Sequence, residues 1–189
     1  MRPISFSLAQ APAFEAVFDR HFDEICGFLC RRVGGDLGEE LAAETFAQAF
    51  GGWSRYDVQR GAVRPWLFGI ASNLLRAHRR SEARRLRALA RAGGEVAASS
   101  SEGQLERVVV DGEARRLAAA LARLRVGDRN VLLLAAWGDL DSQEIAAALQ
   151  IPAGTVRSRL NRARRQVRAA LGPDYVASHP IAVKEVVDG

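Results

Sequence analysis

Six of the twelve residues from Arg157 to Arg168 are arginine: Arg157, Arg159, Arg162, Arg164, Arg165 and Arg168. No acidic side chain stands among them. Guanidinium forks at this density are chemistry for a polyanion, since each can bind a phosphate or a guanine edge in bidentate fashion. At 3.6 residues per turn, Val156, Leu160, Ala163 and Val167 share one helix face, an apolar stripe that must pack on protein. Arg157, Ser158, Asn161 and Arg162 share another face, and their side chains are of the kinds that read base edges, Arg suited to guanine and Asn to adenine. Arg159, Arg164, Arg165 and Arg168 flank them as phosphate clamps. A merely solvated cationic face is the simpler reading, but the one-sided charge of a helix with a capped neighbour argues against it.

That neighbour is legible just upstream. Asp141 is a good N-cap, and Glu144 three residues on completes a box-like pair before Ile145 and Leu149 supply a buried side. The turn runs from Gln150 to Gly154, with Pro152 suited to a first helical turn and Gly154 permitting close helix approach. Two short helices on a tight turn, the second cationic, form a helix-turn-helix of the kind that enters a DNA groove.

Charge elsewhere is segregated too. The chain has 189 residues and a formal net charge of +5, and Lys184 is its only lysine. Arg76, Arg79, Arg80, Arg84, Arg85, Arg87 and Arg91 make a second basic block, while Asp36, Glu39, Glu40 and Glu44 gather in an acidic patch. Two nucleic-acid surfaces and one protein surface fit that pattern.

Other chemistry finds little support. Cys26 and Cys30 lie four apart on one side of an expected helix, with His21 nearby; a metal site needs two further ligands that the spacing does not offer. Their helical separation also suits a disulfide poorly, so buried reduced thiols are expected. His78 and His179 have no companions for a catalytic set, and no phosphate-cradling loop, nucleophile motif or paired catalytic carboxylates occur. A non-enzyme without metal or cofactor is the expectation. No apolar run is long enough for a membrane span, and the start of the chain lacks the layout of a signal peptide; a cytoplasmic location is expected.

Periodicity indicates an all-α fold with no alternating strand pattern. Residues 1–12 read as a short extension, 13–87 as one small helical domain, and 88–112, with Gly93-Gly94 and Ser99-Ser100-Ser101, as a flexible linker. A second small helical domain is expected over 113–172, with Asp128 capping a helix that runs to Trp137, and a tail over 173–189.

The C-terminal unit resembles the promoter-binding domain (region 4) of bacterial sigma factors of the sigma-70 family, extracytoplasmic-function (ECF) group. The likeness rests on Leu140, Glu144, Ile145, Ala146, Leu149, Pro152, the run Gly154 to Leu160, and Arg162 to Arg164. It departs at Gln150, where the family usually has Gly; if that position is left-handed, Gln costs roughly 1–2 kcal/mol there. Phe14 to Arg32 resembles the first conserved helix of sigma region 2, Glu39 to Phe50 the segment that docks on the polymerase clamp helices, and Trp53 to Arg80 the helix and loop that open and read the −10 element. Ala43 stands where the family often has Gln.

The resemblance implies a protein that binds core RNA polymerase and directs promoter-specific initiation. It implies polymerase contact through Glu39, Glu40, Glu44 and Gln48, and duplex −35 contact through Arg157, Ser158, Arg159, Asn161, Arg162 and Arg165. Capture of an unstacked base of the non-template −10 strand would fall to the loop Asp57 to Arg64, with Tyr56 at its base, Asn73 as base reader, and Arg60, Arg76, Arg79 and Arg80 on the backbone. Tyr56 suits core packing and pocket wall about equally; Trp66, Leu67, Phe68 and Ile70 suit the core. Ala77, one turn past Asn73, offers no polar reader. An anti-sigma factor is a further implied partner. The alternative is a stand-alone helix-turn-helix regulator, which would bind duplex sites without polymerase.

On this reading, Asn161→Ala or Arg162→Ala should cost on the order of 1–3 kcal/mol at one base pair of the −35 element, measured by binding to single-position operator variants. Arg165→Ala should weaken all sequences alike and flatten the salt dependence. Uniform loss from Arg162→Ala would count against its role as a reader.

Overall fold

A computed structural model describes residues 11–57, 59, 61–91 and 112–172. Most of the N-terminal extension, Arg60, the linker over 92–111 and the tail over 173–189 lie outside the described residues. Among the described residues all regular structure is helical. The order is α1 (Ala11–Val33), α2 (Gly35–Gly52), a 3-10 turn (Trp53–Arg55), α3 (Val63–Arg91), α4 (Gly112–Ala122), α5 (Val126–Trp137), α6 (Ser142–Leu149) and α7 (Ala153–Leu171).

The first half is a three-helix unit. Ile25, Phe28, Leu29 and Val33 recur at helical spacing on α1 and are fully buried against Leu41, Ala42, Phe46 and Ala49 of α2. The chain reverses between these helices in a single residue, Gly34, at φ 92; its amide caps the carbonyl of Cys30 at 2.9 Å. A side chain there would be strained. Leu67, Phe68, Ala71 and Leu75 of α3 complete the core. Beyond Leu75 no residue of α3 is buried, so its last 16 residues, about 24 Å at 1.5 Å per residue, run on as a largely solvated arm that reaches Arg91, inside the stretch read as linker.

The second half is organised around α5. Val131, Leu132, Leu133 and Leu134 are consecutive and all essentially inaccessible, which happens only when a helix is enclosed on every side. Helix α7 covers one side with Val156, Leu160, Ala163 and Val167, the stripe expected from the sequence, all buried. The expected capping box is present. Asp141 Oδ1 accepts from the amides of Gln143 and Glu144 at 2.7 and 2.8 Å, and Glu144 Oε2 accepts from the Asp141 amide at 2.9 Å. Two other local expectations need correction. Helix α5 begins at Val126 with Arg125 at its cap, so Asp128 sits inside the first turn, 2% exposed, and does not cap. Pro152 is the cap residue of α7, one place before the first turn, and the space around Gly154 is open.

The two halves are docked on each other. A Cβ at Gly69 of α3 would lie 2.6 Å from the carbonyl oxygen of Ala148 on α6, so the helix backbones touch there and only glycine fits. Arg64, in the first turn of α3, clamps the junction. Its guanidinium donates to both carboxylate oxygens of Glu24 on α1, to the carbonyl of Gly138 at 2.6 Å and to that of Asp139 at 3.1 Å, and lies 3.6 Å from Glu144. Arg31 donates to the Trp137 carbonyl at 3.0 Å, and Arg32 to Asn130 Oδ1 at 2.8 Å.

Gln150 closes α6 at φ 53, ψ 46, the left-handed conformation expected for the position that glycine usually holds. Gln150→Gly should therefore stabilise the fold by about 1 kcal/mol in urea unfolding, with an unchanged denaturant slope. A stability equal to or below that of the parent would show that the Gln side chain compensates the backbone.

Candidate nucleic-acid and polymerase interfaces

Helix α2 presents one side to the core and the other to solvent. Glu39, Glu40, Glu44 and Gln48 are all exposed, with Gln48 Nε2 donating to Glu44 Oε1 at 2.8 Å one turn away. Ala43 is exposed beside them. The result is an acidic strip on a rigid helix, a shape suited to a basic protein surface.

The loop residues Asp57 and Gly61 adjoin an aromatic cluster. Tyr56 stacks on Trp53 at 5.0 Å and 6°, and meets Trp66 at 5.0 Å and 33°; the two indoles are 6.2 Å apart. These separations close a triangle, so the indoles lie on adjacent sides of Tyr56 and do not sandwich it. The Tyr56 hydroxyl donates to the Gly61 carbonyl at 2.8 Å, and Asp57 Oδ1 accepts from the Gln59 amide at 2.9 Å. Burial, then the charge of Asp57, raises the Tyr56 phenol above its ordinary value, so it stays a hydrogen-bond donor at neutral pH. Tyr56 thus packs and still offers ring surface, as the open choice allowed. Leu67 and Phe68 are core as expected, whereas Trp66 and Ile70 are only half-buried.

The residues of α3 that the resemblance links to the −10 strand divide. Asn73 and Ala77 are exposed. Arg76, Arg79 and Arg80 line a cavity between the halves, together with Arg159 of α7.

On α7, Arg157, Ser158, Asn161 and Arg165 are exposed on the outer face, Ser158 with its hydroxyl turned back to the Thr155 carbonyl at 3.0 Å. Arg162 is half-buried and has a protein partner. Its Nη1 lies 3.2 and 3.4 Å from the two carboxylate oxygens of buried Asp128, which ties α7 to the start of α5. Arg159 leans across α5, with Nη1 3.1 Å from where a Cβ on Gly127 would stand. Helical counting places both beside Arg157, and it does not show which arginines also touch a neighbouring helix. Arg64 is the junction residue that helical counting does not reveal. Its partners Gly138 and Asp139 lie more than 70 positions away, and no local pattern marks it.

The thiols of Cys26 and Cys30 are half-buried, less than expected, with sulfurs 3.7 Å apart. Burial, followed by the contact with Cys30, pushes Cys26 up to about 11, which makes it a poor nucleophile. Among the described residues no group of His, Cys, Asp or Glu could hold a metal, and no helix is long and apolar enough to cross a membrane.

Both halves of the chain match known protein families. Residues 17–85 match the family model for Sigma-70 region 2, and residues 114–167 that for Sigma-70, region 4. The chain is 31% identical over 165 residues to the RNA polymerase sigma factor CarQ of Myxococcus xanthus, covering 85% of this chain and 90% of that one. It is 32% identical over 174 residues to the ECF RNA polymerase sigma factor SigE of Mycolicibacterium smegmatis, covering 90% of this chain and 64% of that one. Its fold is similar to the sigma factor RpoE of Bartonella quintana, solved in complex with the anti-sigma factor NepR, with a TM-score of 0.64 at 19% identity over 86% of this chain and 98% of that one. The chain belongs to the sigma-70 family, in its extracytoplasmic-function group. It directs promoter-specific transcription initiation with RNA polymerase.

Arg162→Ala should strand the Asp128 carboxylate. Because the Arg162 side chain is itself 36% exposed, the expected loss is moderate, about 1–2 kcal/mol in thermal or urea unfolding. Asp128→Ala combined with Arg162→Ala should recover part of it. Asn161→Ala should leave stability within about 0.5 kcal/mol of the parent; equal destabilisation by Asn161→Ala and Arg162→Ala would refute the structural role of the Arg162 pair.

Proposed function

We propose that three surfaces divide the work of initiation. The acidic strip Glu39, Glu40, Glu44 and Gln48 docks on core polymerase. Arg157, Ser158, Asn161 and Arg165 face the −35 duplex, Asn161 and Arg157 at base edges and Arg165 on phosphate. The loop above Tyr56, with Asn73, receives a base flipped from the non-template −10 strand, and Arg76, Arg79 and Arg80 hold its backbone. The observation that carries this reading is the separation of charge, with acid on α2 and base on the outer face of α7, each on a rigid helix and each exposed.

Both promoter elements cannot be reached from the docked arrangement. About 25 base pairs separate them, roughly 85 Å of B-form DNA at 3.4 Å per pair. A compact chain of this length is only about 40 Å across. The twenty residues between α3 and α4 can span at most about 70 Å, which together with the domains themselves covers the distance. Engagement of a promoter therefore requires the Arg64 clamp and the Gly69 contact to part, and polymerase supplies the energy by binding the separated halves better. The activity needs no catalysis by this chain, and its place is the cytoplasm beside polymerase and chromosome. The RpoE structure holds an anti-sigma factor, and we infer an inhibitor of that kind here.

Run-off transcription tests the assignment. With core polymerase, the purified chain should start RNA at one position of a cognate promoter, and alone it should bind that promoter weakly. Glu40→Arg with Glu44→Arg should reduce affinity for core polymerase at least about tenfold with unchanged circular dichroism. Tight promoter binding without polymerase, and no RNA with it, would establish the stand-alone regulator instead.

A further inference from the structure

The halves do not meet everywhere. Between α3 and the α5–α6–α7 unit lies a cavity of about 600 Å3, within the size range of small-molecule sites. Six arginines line it, Arg32, Arg76, Arg79 and Arg80 from the first half and Arg129 and Arg159 from the second. Among the described residues the single carboxylate on its wall is that of Glu82, 3.3 Å from Arg85. Part of the wall is apolar, with Leu75 and Leu86 of α3 facing Leu149 and Ile151.

In this lining the Nε of Arg32 and the hydroxyl of Ser72 are buried without a hydrogen-bond partner, in residues that are each only 3% exposed. An orphaned buried donor costs about 1–3 kcal/mol, more when charged. Arg32 has a neutral partner in Asn130 and the ring of Phe28 at 5.2 Å. Burial, then Arg79 and Arg129, pulls its guanidinium down to about 9, so it remains a cation at neutral pH. The Arg64 clamp and the Gly69 contact hold the two halves together around the cavity.

We propose that this cavity binds a small phosphate-bearing anion of nucleotide size, its phosphates on the arginines and Ser72 and its base against the leucine and isoleucine wall. The lining comes from both halves, so the ligand recognises only the docked form and stabilises it by linkage. Arg76, Arg79 and Arg80 are the residues assigned above to the −10 strand, so ligand and promoter compete for them. That competition rests on the promoter assignment, whereas the binding site does not.

Calorimetric titration of the full chain with ATP, adenosine and inorganic tripolyphosphate separates the contributions, and it needs neither polymerase nor promoter, so its failure leaves the transcription reading intact. ATP should bind at least about tenfold more tightly than either fragment. Ala83→Phe, which fills the cavity from α3 without altering charge, should weaken ATP at least about tenfold, and Arg32→Met should act in the same direction. Small-angle scattering should show the chain no larger with ATP than without. Equal ATP affinity in the parent and Ala83→Phe, tripolyphosphate or hexaglutamate binding as tightly as ATP, or expansion of the chain with ATP, would each overturn the proposal.

Discussion

Helix α3 serves two cores at once, and that double duty rests on a missing methyl group. Its inner face packs Leu67, Phe68 and Ala71 against α1 and α2, while Gly69, on a neighbouring face, sits against the Ala148 carbonyl of α6. Any larger residue would push the halves apart by the width of a side chain. It would also pull Arg64 away from Gly138 and Asp139 and open the walls around Arg32. Relative motion is the default for two small domains on a tether. Here a backbone contact and a charged clamp hold the two together.

The clamp also links local to global structure. Glu144 caps its own helix and lies 3.6 Å from the guanidinium that spans the halves, so the start of α6 and the domain junction share one carboxylate. Asp128 does the same on the other side of α5, where an apparent cap residue has become the buried partner of Arg162. Glu24, Asp128 and Glu144 thus hold helices at their ends and junctions, while the acidic residues Glu39, Glu40 and Glu44 of α2 face solvent.

Much of this was legible from spacing alone. The stripe Val156, Leu160, Ala163, Val167 and the capping box each depend on residues within one or two turns, and local physics decides them, whereas the left-handed Gln150 is marked only by the glycine the family usually has there. The exposed strip of α2 followed in the same way. Legibility failed wherever the deciding partner was remote. Arg159 and Arg162 look like Arg157 in the sequence, and only α5 distinguishes them; Arg64 looks like a loop residue, and only the α5–α6 turn gives it work. Asp128 was misplaced because cap and first-turn positions differ by three residues, and its burial depends on α7.

The solvated arm of α3 has a kinetic meaning. Arg84, Arg85, Arg87 and Arg91 stand exposed along a stiff rod that projects past the core, where no fold contact requires them. Fixed positive charge held away from the body widens the capture radius for a diffusing polyanion, and the gain fades as added salt shortens the screening length to about 10 Å at 0.1 M. Encounter with nucleic acid is thus accelerated by a part of the molecule that need make no contact in the final complex.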